Sequence, residues 1–310
     1  MIKVLKTTEN GLVPIQEIEK KCWINVSNPS PDELKNLSAT LNIPLDFLID
    51  SLDIDESSRV EIEDNNILII FRASRYDKEM VDVPYTTLPI GIVISRDIVI
   101  TVCSTDVVEL LDLCNGKVKN LFNNNRNRFI LDLLHRAAFF YLKHLKEINK
   151  RTNNIETALH RATKNEELIK LLNIEKSLVF FTTSLRSNEL MMERLQKIRS
   201  IELNDDDKDF LEDVIIDNRK AIEMANVYSN ILSGMMDAFA SVISNNLNIV
   251  MKFLTSVTII LMIPTLIASI YGMNINLPFQ HLNNAFFITI GLSFSLSIIG
   301  VLIFLKKRWL

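Results

Sequence analysis

Seven residues near the C-terminus, Asn248, Met251, Thr255, Thr258, Met262, Thr265 and Ser269, recur at spacings of 3, 4, 3, 4, 3 and 4. On an α-helix that spacing makes one seam. Every member is polar or a polarizable Met. The other positions from Phe253 to Ile270 are nearly all Leu, Ile, Val, Ala or Phe, with Ser256 and Pro264 as exceptions. No Asp, Glu, Lys or Arg occurs from Phe253 to Leu305, so this stretch reads as a membrane segment. Lipid cannot satisfy hydroxyl or amide groups, and the stripe must face other protein or water. Such hydroxyls can also bond back to their own helix carbonyls and merely pack helix on helix. One or two would suit that role; a seam of seven running into a polar loop favours a water-filled path. One helix encloses nothing. Several copies around an axis do, so the seam predicts a homo-oligomer with these helices innermost.

A second group is acidic. Asp205-Asp206-Asp207-Lys208-Asp209 is followed by Glu212, Asp213 and Asp217, and Asp206, Asp209, Asp213 and Asp217 share one helical face. In a soluble helix this is a solvated surface with acids favourably placed near the N-terminus. Carboxylates are also ligands for hard divalent cations.

The elements that position these groups follow from the composition. The uncharged window divides into Phe253–Ile270 and Ala285–Leu305, each about long enough to cross the hydrocarbon layer. Residues 271–284 between them hold Gly, Pro and five Asn or Gln residues, a turn region. The second span is mostly Phe, Ile, Leu and Val, as suits a lipid-facing helix. Lys252 precedes the first span and Lys306-Lys307-Arg308 follow the second, while the loop has no Lys or Arg. By the positive-inside rule both termini are cytosolic and the loop faces outward, with Tyr271 and Trp309 as interfacial aromatics.

The N-terminal part reads as cytosolic, because Met1–Lys6 lead into no apolar core of signal-peptide length. Cys22, Cys103 and Cys114 have no metal-site spacing and read as reduced thiols. Strand-like runs at 1–5, 22–26, 67–72, 86–94 and 98–102, with a helix start at Ser30-Pro31-Asp32-Glu33, predict an α/β domain closed by the Asn-rich segment 123–127. Long helices are expected over 128–160, 165–197 and 205–270, the last entering the membrane without a break. A net charge of −4 and the lack of a basic, aromatic-interleaved stretch point away from nucleic acid. No phosphate-binding Gly loop, nucleophile motif or metal-ligand spacing supports an enzyme.

Tyr271-Gly272-Met273-Asn274, directly after the first span, resembles the signature of the CorA family of Mg²⁺ transporters. The chain's end, Lys306-Lys307-Arg308-Trp309-Leu310, is similar to that family's basic tail. The close resemblance runs from about 232 to 310; Trp23-Ile24-Asn25-Val26 carries a looser one. It implies an α+β membrane protein: a cytosolic α/β domain (1–125), a helical region and stalk (126–248), a pore-lining helix (249–270), an external loop (271–284), a second membrane helix (285–305) and a basic tail (306–310). It further implies a homopentamer in the cell membrane, with Mg²⁺ as transported and regulatory ion and no organic cofactor. Gly272, Met273 and Asn274 would form the selectivity filter. Mg²⁺ sheds water reluctantly, so the Asn274 carboxamide and the Gly272 carbonyl suit a hydrated ion held by its waters. Below them, Thr265, Thr258 and Asn248 would bond to those waters, and Met251, Leu254 and Met262 would form apolar constrictions. Leu254 lies beside the seam and enters from the resemblance alone. The family places an intersubunit Mg²⁺ sensor at Asp213, opposite Glu63 and Asp64 of a neighbour, and Asp237 is a candidate carboxylate ring at the inner mouth. One departure stands out: family members often carry an acid a few residues after Gly-Met-Asn, and this loop has none. A Zn²⁺, Co²⁺ or Ni²⁺ transporter on the same scaffold is the nearest alternative, with His281 as its one imidazole in the membrane half. A membrane-anchored coiled-coil scaffold is the other.

Overall fold

The computed structural model describes residues 1–8, 11–78, 80, 82–107, 126–159, 166–198, 201, 203–275, 277–278 and 284–309. Its centre is a seven-stranded sheet of β1 (Ile2–Thr8), β2 (Gly11–Ile15), β3 (Cys22–Ser27), β4 (Arg59–Glu63), β5 (Asn66–Tyr76), β6 (Tyr85–Ser95) and β7 (Ile98–Cys103). The spatial order is β2-β1-β3-β7-β6-β5-β4. β3 and β7 run parallel, and the other neighbours are antiparallel.

The central strands are buried on both faces, as their unbroken apolar runs require. Along β5, Ile67, Ile69, Phe71 and Ala73 enter one core, and Leu68 and Ile70 the other, by strand alternation. The second core is closed by α1 (Pro31–Leu41) and α2 (Leu45–Asp50) through Leu34, Leu37, Phe47 and Leu48. α1 starts as its sequence predicts. Ser30 Oγ accepts from Glu33 N, and the Glu33 carboxylate accepts from Ser30 N, a reciprocal capping box. Gly91 on β6 lets α2 approach, since a Cβ there would come within 1.8 Å of Ser51 Oγ.

The first core is closed by α3 (Arg126–Leu159), α4 (Glu166–Leu195) and the first turns of α5 (Asp205–Tyr271). Leu133, Leu134, Met191, Met192, Leu211 and Val214 are among the residues that meet the sheet. Asn188 of α4 takes the place of a strand partner for Arg72. Its Nδ2 donates to Arg72 O at 2.8 Å, and its Oδ1 accepts from Arg72 N at 2.8 Å. The sheet and these helices therefore share one core. The compact units are Met1–Ser233 and Gly234–Leu310. α3 and α4 bury their apolar faces on the sheet and not on each other alone. α6 (Ala285–Lys306) lies wholly in the second unit. Cys114, His160 and most of the Asn-rich segment lie outside the described residues.

His144 of α3 is buried, with its Nδ1 2.9 Å from Ser74 Oγ and its ring among Tyr85, Phe140 and Phe181. Desolvation pushes its pKa down to about 4; Lys143 lowers it further and Glu147 opposes. The folded state thus holds His144 neutral, while the unfolded chain protonates it near 6.5. Stability is unaffected above that value and falls as pH drops from about 6.5 towards 4. Between pH 7 and pH 4 the wild type should lose about 3 kcal/mol more than His144→Gln. Urea unfolding of both proteins at the two pH values measures this, and parallel losses would refute it.

Candidate functional site

α5 is helical over 67 residues, and it and α6 are the two described helices long and apolar enough to cross a membrane. From Phe253 to Ile270 the rise of 1.5 Å per residue gives about 27 Å, close to the hydrocarbon thickness. In the single chain all seven seam residues are exposed, as is Leu254. On the other side of α5, Ser256 is buried and Ile260, Ile263 and Ile267 are half-buried. This set is centred about 150° around the axis from the seam, at 3.6 residues per turn. There α6 approaches, and a Cβ on Gly300 would stand 3.4 Å from Ile263 Cδ1 and 3.9 Å from Ile260 Cγ1. α6 thus packs on the apolar side and leaves the seam uncovered. Leu261 and Leu266 are equally bare, so exposure alone does not mark a path. Chemistry does: lipid can cover leucines but cannot satisfy the polar groups of the seam.

Two seam hydroxyls have defined partners. Thr258 Oγ1 donates to Leu254 O at 2.8 Å, and Thr265 Oγ1 donates to Leu261 O at 3.1 Å. This is the back-bonding foreseen as the packing alternative. It occupies the hydroxyl proton and leaves the oxygen lone pairs as acceptors. Water bound to a cation offers only donors, so hydroxyls fixed in this way suit a passing hydrated ion.

The seam also extends further than the apolar stretch. Asp237, Ser241 and Ser244 continue it to Asn248 at spacings of 4, 3 and 4, all exposed on α5. The serines were missed because they sit among polar neighbours, where a polar stripe has no contrast. Only the helical register, carried back from Asn248, would have found them.

At the other end α5 winds down over the Gly-Met-Asn turn. Gly272 N donates to Ala268 O at 2.9 Å, and Met273 N to Ile270 O at 3.2 Å. A Cβ at Gly272 would press on Ala268 O at 3.3 Å. Gly272, Met273 and Asn274 are exposed, and Tyr271 Oη donates to Pro278 O at 3.4 Å. His281 lies outside the described residues.

The acidic face divides. Asn204 Oδ1 accepts from Asp207 N at 2.7 Å and caps α5. Asp206, Asp209 and Asp213 are exposed, Asp207 is buried, and half-buried Asp217 turns to His135 of α3, with Oδ2 3.9 Å from Nε2. Just beyond, Asn218 Nδ2 donates to Leu185 O at 2.9 Å, and Arg219 pairs with Glu189 and Glu193 of α4. Glu63 ends β4, and Asp64 with Asn65 forms the two-residue turn to β5, both at positive φ (47° and 63°). That turn geometry itself favours Asp and Asn. Among the described residues no three His, Cys, Asp or Glu side chains converge on a metal position within one chain.

Residues 19–308 match the family model described as CorA-like Mg²⁺ transporter protein. The cobalt/magnesium transport protein CorA of Methanocaldococcus jannaschii is 27% identical over 327 residues and is covered, like this chain, in full. The protein of the same name in Thermotoga maritima is 21% identical, with 98% of this chain and 88% of its own length covered. In structure, the chain is similar to the complete CorA magnesium transporter from M. jannaschii, with a TM-score of 0.87 and 26% identity over 100% of this chain and 99% of that one. Full-length CmaX, at 14% identity and a TM-score of 0.73, shares the fold. With the family model matched from β3 through α5 and α6, this chain belongs to the CorA-like Mg²⁺ transporter family, whose members are transporters and not enzymes.

Proposed function

We propose that the chain is a Mg²⁺ uptake channel, a homopentamer in the cell membrane with both termini cytosolic, closed by Mg²⁺ on the cytosolic side. The observation that carries this reading is the uncovered polar seam of α5 running into Gly272-Met273-Asn274. Residues 249–270 and 285–305 span the bilayer, and 271–284 face outward. Asn274 accepts hydrogen bonds from waters of an incoming hydrated ion, with the Gly272 carbonyl beside it and Met273 completing the filter. Ser269, Thr265, Thr258, Thr255 and Asn248 then offer acceptors in succession. Met262, Leu254 and Met251 narrow into apolar constrictions, and Asp237 collects the ion at the inner mouth. The relatives from M. jannaschii and T. maritima are cobalt/magnesium transport proteins by name, which favours Co²⁺ as a second cargo.

Gating follows from the exposed carboxylates. Among the described residues no three His, Cys, Asp or Glu side chains of one chain converge, which supports a regulatory site shared between subunits, with Asp213 of one facing Glu63 and Asp64 of the next. Mg²⁺ bound there neutralises a repelling cluster and holds the cytosolic parts together, and the pore closes when the cell is replete. An ion shifts an equilibrium only towards the state it binds more tightly. Weak carboxylate sites release near cytosolic concentrations, as a sensor requires.

Three experiments test this reading. Asn274→Ala should abolish Mg²⁺ uptake into proteoliposomes while leaving assembly and insertion intact; normal uptake by an assembled variant would remove the filter assignment. Single Cys substitutions at Thr255, Thr258, Met262, Thr265 and Ser269 should react with water-soluble thiol reagents in the open channel, and those at Ile259, Ile260 and Ile267 should not. Equal labelling of both sets would mean that the seam is packing. Asp213→Lys supplies a permanent positive charge, so Mg²⁺ should protect the wild-type cytosolic region from protease and change the variant little. Identical wild-type cleavage with and without Mg²⁺ would place gating elsewhere.

A further inference from the structure

α6 ends in a way that a simple stop does not require. Trp309 N donates to Phe304 O at 3.0 Å and Arg308 N donates to Leu305 O at 3.1 Å, the paired bonds of a Schellman motif. The motif puts its C′ residue in the left-handed region, where Gly is usual because it has no Cβ. Here that residue is Arg308, with φ of 56°. Its turn folds Trp309 back onto Phe304, with ring centroids 5.7 Å apart and planes 19° from parallel. Lys306, Lys307 and Arg308 remain exposed and Trp309 half-buried. Strain kept where Gly would relieve it points to a use for the side chain.

The position of the three cations says what that use is. Gly300 of α6 stands against Ile260 and Ile263 of α5. Carried along the antiparallel pair, this register puts Lys306–Arg308 level with about residues 254–256 of α5, roughly one turn from exposed Lys252. Four cations and an aromatic pair therefore gather at one edge of the apolar band. An aromatic ring at headgroup depth with cations beside it suits a phosphate diester whose acyl chains lie against α6.

We propose that the Schellman turn at Arg308 makes the end of α6 a binding site for the headgroup of an anionic phospholipid, with Lys306, Lys307 and Arg308 on the phosphate, Trp309 at the interface and Lys252 adding charge. The competing account is that these cations only complement the carbonyl end of the helix dipole. That account predicts no preference between lipids. The proposal rests only on the two helices spanning a bilayer and is read without ion flux, so it stands or falls apart from the transport reading.

The chain has two tryptophans, and Trp23 is fully buried in the sheet core, so quenchers in lipid reach Trp309. The full-length protein is reconstituted in phosphatidylcholine containing equal mole fractions of either brominated phosphatidylglycerol or brominated phosphatidylcholine. Brominated phosphatidylglycerol should quench Trp309 at about fivefold lower mole fraction or better at low salt, since each cation near an anionic surface contributes roughly that factor. High salt should weaken the preference. Combining Lys306→Gln, Lys307→Gln and Arg308→Gly should abolish it. Arg308→Gly alone keeps or strengthens the turn while removing one charge, so its partial loss separates charge from folding. Equal quenching by the two lipids in the wild type, or a preference that survives the triple variant, would overturn the proposal.

Discussion

Hydrocarbon cannot accept or donate a hydrogen bond, and the C-terminal quarter of this chain is arranged around that fact. Backbone groups in hydrocarbon are satisfied most simply within a helix, and α5 continues to Tyr271 through Pro264, which brings no N–H to the Ile260 carbonyl. Side chains face the same constraint. Ser256 is buried and donates to Lys252 O, and Thr289, Ser295 and Ser297 of α6 donate to the carbonyls four residues back. Back-bonding is therefore general in this unit and marks no function by itself. What distinguishes the seam is concentration: its polar groups line up on one stripe of α5 that α6 leaves bare, whereas the other bare positions from Phe253 to Ile270 are apolar.

The other end of α5 is held by different forces. Leu211, Val214 and Ile215 are part of the core beneath the sheet. Asn218 and Arg219 then tie the same helix to α4. The Arg219 pairs are exposed and each contributes little; the buried apolar residues and the Asn218 bond set the register. Asp213, one turn before Asn218, is thereby fixed on the outward side of a helix that cannot rotate without exposing its core residues. A carboxylate held in that way is available to a partner outside its own chain.

The sequence was most informative where one physical requirement acts alone. Membrane spans, the cap at Ser30, and the limits of α3, α4 and α5 to within a few residues follow from hydropathy, capping and periodicity. Misses fall where tertiary contact decides. β2 and β4 were not anticipated, and they are the two edges of the sheet. β2 carries Pro14 and β4 alternates Arg59, Glu61 and Glu63 with apolar residues; charge and Pro are how edges avoid pairing, and they also hide a strand from a hydrophobic pattern. Local signals change from strand to helix near residue 125, yet α3 and α4 close the sheet's own core, and no local signal reports that packing. In the site, the seam was legible because a polar residue in an apolar helix has contrast. Ser241 and Ser244 lacked that contrast, and the role of Asp64 as a turn residue appears only with its positive φ.

The distribution of charge along α5 completes the argument. Carboxylates stand at Asp213 and Asp237, and none occurs in the seam from Asn248 to Ser269 or in the loop after Asn274. A carboxylate ring in a narrow, low-dielectric passage attracts a divalent ion strongly, and the same attraction slows its departure. Conduction needs binding that is strong enough for entry and weak enough for exit. Neutral acceptors such as amide, hydroxyl and carbonyl oxygens meet that condition for an ion that keeps its water, because each replaces one water-to-water bond with an equivalent one. A loop without acids then has a specific consequence. Under the proposed reading it adds no electrostatic concentration of cations at the mouth, and capture would rest on the hydrogen-bonding geometry of Asn274. In this chain discrimination and capture would fall on the same few neutral groups, with carboxylates left to the cytosolic side, outside the narrow passage, where weak binding serves a sensor.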